Sequence, residues 1–187
     1  ETEVKEADVL LAFQQSPKAL PNDPLVDDQW QIKTSNGAED GNDVNVESVW
    51  KYGETGGLRG TGIKIGIVDD GLQHAHPDLT QNADTENDRD WNGNDNDASP
   101  GPGDAHGTAC AGVAGARGNN NLGVTGTAPE ASLVGLRLIA APSTDNQEAQ
   151  AMSHLPNLIP ISSNSWGPFD SGVGLDKAGP LTLPPSP

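Results

Sequence analysis

In 187 residues the chain has one cysteine, one methionine, one tyrosine, two phenylalanines and four tryptophans. A lone Cys110 excludes an internal disulfide and a thiolate metal cluster. No apolar run approaches the roughly 18 residues a membrane helix needs. Residues 1–20 lack the basic start and apolar centre of a secretory signal, so an exported form would have its signal removed or held outside these residues. Bases are scarce as well: ten Lys and Arg stand against 27 Asp and Glu, a formal charge of −17. That balance excludes nucleic acid as a natural partner, because a phosphate backbone needs a basic face to displace its counterions. It also argues against anionic membrane surfaces. With 33% hydrophobic residues, 23 glycines and 15 prolines, a core is possible but thin. The length suits one domain, or one large piece of a bigger one.

The acid is concentrated. Residues 69–104 hold ten carboxylates and a single base, Arg89, and so supply nine of the seventeen excess negative charges. So much like charge in one region is unfavourable unless something cationic sits there, such as calcium or a basic substrate. The plainer alternative is a solvated, solubilising loop.

Periodicity and breakers give a coarse order of elements. Residues 1–13 can form a short helix, and 16–27 read as extended, broken by Pro17, Pro21 and Pro24. Residues 44–52 can make a helix docking Val46, Val49 and Trp50. Residues 63–68 are apolar and β-branched, which predicts a buried parallel strand. Residues 80–105 show no periodicity and read as a long acidic loop, and 106–116 are a helix dense in Ala and Gly, able to approach a sheet closely. A strand at 132–139, a helix at 145–155 capped by Asp145, and a strand at 158–162 beside Pro160 follow. This alternation predicts an α/β fold with a mostly parallel sheet, whose chemistry collects at the carboxyl ends of its strands.

Three segments carry chemistry: Ile67-Val68-Asp69-Asp70-Gly71 with His76-Pro77-Asp78-Leu79 behind it, His106-Gly107-Thr108-Ala109-Cys110-Ala111-Gly112, and Ser163-Asn164-Ser165-Trp166-Gly167-Pro168. Singly, each reads as a turn, a cap or a satisfied polar residue. In this order, and on this alternation of elements, they resemble the subtilisin-like serine proteases and, within them, the kexin/furin branch with its bacterial members. The Asp-Asp-Gly form, Cys110 and the Trp-Gly-Pro ending favour the kexin side, as does Asp23-Pro24-Leu25 with Gln29-Trp30. The resemblance implies a three-layer α/β fold, incomplete in this chain. Residues 1–21 would be an extension, 22–180 the N-terminal part of the peptidase domain, and 181–187 a Pro-rich tail outside it. Strand edges and apolar faces that meet the rest of such a domain would then be exposed.

The resemblance assigns Asp69 and His106 as two members of a catalytic triad, His106 taking a serine proton and Asp69 fixing its tautomer. The serine is missing: no Gly-Thr-Ser-Ala/Met motif occurs in the 187 residues, and Ser165 belongs to the substrate strand. The chain alone is expected to be inactive. A non-catalytic piece that binds calcium or basic peptides is the alternative.

For calcium, residues 90–97 suggest an EF-hand, but Asp95 stands where that loop needs Gly and no Glu follows at its twelfth position. The resemblance instead implies one site at Asp90, Asp95 and Asp97. It implies a second at Asp23, Asp78 and Asn120 with the carbonyls of Arg117, Leu122 and Val124, and a third calcium ligand at Asp170. His74-Ala75-His76 is too sparse for zinc. The same resemblance places Ser165, Trp166, Gly167 and Pro168 along the substrate, Asp70 at the second subsite, Asp170 at the floor of the first, and Glu148 and Asp176 at the fourth. A carboxylate 4 Å from a substrate Arg or Lys gains about 4 kcal/mol at an effective dielectric of 20. Glu148 and Asp176 also read as ordinary surface charge. Asp104 lies one position away from the acidic residue of furin-type enzymes, which leaves single-basic as well as dibasic cleavage open. The implied partners are basic peptide or protein substrates and a propeptide or chaperone, in a secreted, periplasmic or extracellular setting.

Overall fold

The computed structural model of the chain describes residues 20–32, 43–52 and 55–167. The readings of residues 1–13 and 181–187, and of Pro168, Asp170 and Asp176, fall outside the described residues.

A 3-10 turn at Val26–Asp28 precedes α1 (Glu47–Trp50), β1 (Lys64–Asp69), β2 (Arg89–Asp90), α2 (His106–Gly115), β3 (Ser132–Arg137), α3 (Asp145–Met152) and β4 (Ile161–Asn164). The strands form one parallel sheet in the order β2-β3-β1-β4. The register sets Asp69 opposite Arg137, Arg137 opposite Asp90, and Val68 opposite Asn164. All four strands therefore end along one edge.

Side chains alternate across a strand, and the core divides accordingly. Ile65, Ile67 and Leu133 pack with Leu72, Leu79 and Ala111 on the α2 face. Val68, Val134 and Leu136 pack with Trp91, Leu138, Ala151 and Ile159 on the α3 face. Helix, sheet and helix make the three layers expected from the sequence. Asp69 follows Ile65 and Ile67 on the α2 side, which aims its carboxylate at the first turn of that helix. A third cluster, Val26, Ile32 and Trp50, lies away from the sheet. It is tied to the loop after α2 by Trp50 Nε1–H donating to the Thr127 carbonyl (2.9 Å) and by a two-way amide pairing of Gln29 with Thr125 (2.9 and 2.8 Å).

Several boundaries differ from the sequence reading. The acidic stretch contains β2, two residues long, because its backbone can pair with β3 although its side chains show no strand pattern. α1 is one turn, ended by Lys51 in a left-handed conformation, so Trp50 is buried while Val49 is 45% exposed. Thr144 rather than Asp145 caps α3, in a reciprocal box with Gln147, because Thr144 has the extended backbone a cap needs. β4 starts after Pro160, which has no N–H to give a ladder. Its outer edge is unpaired among the described residues, and Ile161 is 48% exposed.

Candidate active site

His106 Nδ1 lies 2.8 Å from Asp69 Oδ1. The Asp69 side chain is 1% exposed and that of His106 56%, so the carboxylate is shielded while the ring faces solvent. The hydrogen bond and charge of Asp69, helped by Asp70, hold the His106 pKa above its ordinary value. With Nδ1 held by the carboxylate, Nε2 is the nitrogen left for proton transfer.

The close approach depends on Gly107, the second residue of α2. A Cβ on Gly107 would collide with the Gly71 carbonyl and lie 2.8 Å from the Asp69 Cβ. The small-residue helix expected from the sequence thus lets β1 and α2 meet at backbone distance. Cys110, one turn after His106, places its sulfur 3.8 and 3.9 Å from the two ring nitrogens. Burial pushes the Cys110 pKa up, with the nearby Ser165 side chain acting against it. The end of β4 therefore stands beside the pair.

Trp166 donates its indole N–H to the Val68 carbonyl at 2.9 Å, anchoring the segment after β4 to β1. Trp166, Gly167 and Glu148 line one cavity of about 740 Å³ with residues 139–143, so these three substrate candidates converge. Within it Glu148 accepts a hydrogen bond from Ser143 Oγ at 2.8 Å. Asp70 lies at the start of α2 and accepts hydrogen bonds from two of its amides.

The two described calcium candidates differ. Asp23 and Asp78 are 3% and 4% exposed, and both close on the turn at 117–124. Asp23 accepts the amides of Asn119 (2.8 Å) and Asn120 (3.0 Å), and Asp78 accepts Asn120 Nδ2 and the Val124 amide, each at 2.9 Å. Neither carboxylate has a cationic partner among the described residues. The carbonyls of Arg117, Leu122 and Val124 accept no hydrogen bond among them either. Two buried carboxylates without a cationic partner and three carbonyls without a hydrogen bond among the described residues are oxygen donors of the kind calcium takes, while Asn120 turns Nδ2 toward Asp78 and its Oδ1 accepts the Leu122 amide at 2.9 Å.

Asp90, Asp95 and Asp97 are less gathered. Asp90 pairs with Arg137 at 3.0 Å, Asp95 Oδ1 accepts the Asp97 amide, and Asp97 Oδ1 accepts that of Ser99. Among the described residues, three metal-capable side chains converge within 4.8 Å only at Asp69, His106 and Cys110. His74 and His76 do not act together. His74 pairs with Asp88 at 2.6 Å, which raises its pKa, and His76 Nδ1 accepts the Asp78 amide.

Sequence reasoning missed Arg137. Its guanidinium reaches the Asp70 carbonyl (3.0 Å), Asp90 (3.0 Å) and Asp104 (3.2 Å), joining the ends of three segments. The signal was a lone base closing a strand in a strongly acidic chain.

A buried carboxylate 2.8 Å from an exposed imidazole, at the carboxyl edge of a parallel α/β sheet, is an arrangement able to take a proton from a neighbouring nucleophile. Residues 60–183 match the model of the subtilase family, Peptidase S8, and the chain belongs to that family. Among curated proteins it resembles neuroendocrine convertase 2 of Homo sapiens, 41% identical over 169 residues, covering 87% of this chain and 26% of that protein. It also resembles furin-like protease 2 of Drosophila melanogaster, 46% identical over 161 residues, with 85% and 9% covered. These relatives bear out the kexin/furin resemblance, and the chain spans about a quarter or less of their length. Among solved structures, the serine protease of Aeromonas sobria superposes with a TM-score of 0.67 at 29% identity, over 87% of this chain and 29% of that one. The same protease in complex with its chaperone gives 0.65 at 30% identity, over 79% and 26%.

Proposed function

We propose that these residues belong to a calcium-binding serine endopeptidase that cleaves on the carboxyl side of basic residues. The observation that carries the reading is the 2.8 Å contact between the buried Asp69 and the exposed His106 in a subtilase sheet. In the reaction, His106 takes the proton of a serine hydroxyl as it attacks the scissile carbonyl and returns it to the leaving amine. Asp69 stabilises the imidazolium in between. Asp70, Glu148, Asp170 and Asp176 are the carboxylates assigned to basic substrate side chains, with the segment of Ser165, Trp166, Gly167 and Pro168 along the peptide. Each Asp70 oxygen keeps a lone pair beyond its amide. Arg is favoured over Lys where a carboxylate is met bidentately.

The 187 residues contain no Gly-Thr-Ser motif, so a serine-directed fluorophosphonate should leave this chain unlabelled. A longer chain supplying that motif should label, and should stop labelling when His106 is changed to Ala. Reaction of the 187-residue chain by itself would sink the assignment. A longer chain that binds basic peptides but neither labels nor cleaves them would favour the non-catalytic reading.

Calcium would be held at Asp23, Asp78 and Asn120 with the carbonyls of Arg117, Leu122 and Val124, where it would tie residues 20–32 to the loop after α2. Asp90, Asp95, Asp97 and Asp170 are assigned to further ions. Binding to the native state alone stabilises by mass action, about 2.7 kcal/mol at a hundred times Kd. The melting temperature should rise with calcium and fall with chelator, and Asp78→Asn should remove most of that response. A chelator-insensitive melt would refute the site.

A chaperone or propeptide partner is supported by the Aeromonas protease having been crystallised with its chaperone. A secreted, periplasmic or extracellular location is proposed with it. No described helix is long and apolar enough to cross a membrane.

A further inference from the structure

We propose that Asp70 is the positioning residue of the Asp69–His106 pair, clamping the first turn of α2 to the end of β1. This rests on reading that pair as the acid–base couple.

All the hydrogen-bonding groups of Asp70 are engaged in the junction. Its N–H donates to Asp69 Oδ1 at 2.8 Å. Its Oδ2 accepts the His106 amide at 3.1 Å and its Oδ1 the Gly107 amide at 2.7 Å. Its carbonyl accepts Arg137 Nε at 3.0 Å. One residue thus touches the carboxylate of the pair, the backbone that carries the imidazole, and the base that closes β3.

The helix needs this service. The first amides of a helix have no partner within it, and the residue at the cap position of α2 is Ala105, whose side chain forms no cap hydrogen bond. Asp70 supplies the missing acceptor from another element, as an anion at the positive end of the helix, where such bonds are short and strong. A Cβ on Gly107 would lie 3.0 Å from Asp70 Oδ1, so the seat of the carboxylate also depends on that glycine. The His106 side chain, 56% exposed, has little packing of its own to hold it, and its place over Asp69 is inherited from its backbone.

Nuclear magnetic resonance on the chain tests this without any peptidase assay. In the unchanged chain, a far-downfield Nδ1–H resonance and a His106 titration midpoint above the ordinary imidazole value test the acid–base pair itself. Their absence would overturn that reading. The inference is tested by Asp70→Ala and Asp70→Asn. Ala removes both acceptors, so the His106 and Gly107 amides should exchange roughly tenfold faster or more, the Nδ1–H resonance should be lost, and the midpoint should fall. Asn loses the same charge but keeps one acceptor oxygen, so one amide should stay protected and the resonance should survive weakened. Identical behaviour of Asn and Ala would reduce Asp70 to a remote charge and overturn the proposal. If the Ala variant does not fold, Asp70→Asn decides alone: with both amides still protected and the midpoint unmoved, Asp70 positions nothing.

Discussion

Asp69→Asn should lower the His106 pKa and, in a chain that supplies the serine, should reduce kcat by about ten-thousandfold. Asp69 contributes both the hydrogen bond and the larger charge effect that keep the imidazole protonated above its usual range. An amide in its place removes the charge and presents a group that can donate to Nδ1 rather than accept from it. The ring then favours the tautomer with its proton on Nε2, where a base is required. The sign of the pH effect follows. Because His106 titrates higher in the folded chain than in the unfolded one, the contact stabilises the fold fully below the ordinary imidazole pKa of about 6.5. That contribution fades as pH rises through the raised value. With its side chain more than half exposed, solvent screening keeps the energetic share small, so titration of the ring is the sharper readout. A midpoint unchanged by Asp69→Asn would show that the contact does not govern the proton.

Trp50→Ala should cost about 3–5 kcal/mol, the range for removing a fully buried aromatic side chain. Trp50 is 1% exposed, packs with Val26 and Ile32, and ties its indole to the Thr127 carbonyl. The cluster stands apart from the two that sandwich the sheet, and through it residues 20–32 reach the loop after α2. Loosening it frees Asp23 from the amides of Asn119 and Asn120, so calcium affinity should fall along with stability. Denaturant titration with and without calcium measures both. A loss below about 1 kcal/mol, within the spread of ordinary substitutions, would show that the cluster is not part of the cooperative fold.

Elements whose residues face a uniform environment were legible before the fold was seen. β1 and β3 are apolar because both faces are covered, and α2 is built of Ala and Gly because it lies against a strand. Their starts and ends fell within two residues of the reading. The two-residue β2 was not legible, since its pairing is made by backbone atoms that every residue shares. Nor was the cap of α3, where Thr144 and Asp145 are both good capping types and only backbone conformation separates them.

The site divides in the same way. The chain by itself singled out Asp69 and His106 by their motifs, and the structure brings the two side chains within 2.8 Å. It also determined the acid excess and its concentration in residues 69–104. Only the tertiary structure decided what each carboxylate does. Asp70, Asp78, Asp88 and Asp90 look alike in sequence, yet one caps a helix, one closes on a turn with no cationic partner among the described residues, one holds His74, and one holds Arg137. The physical reason is that a carboxylate's role is set by the donors within about 3 Å of it, and in this fold most of those donors come from residues more than thirty positions away along the chain.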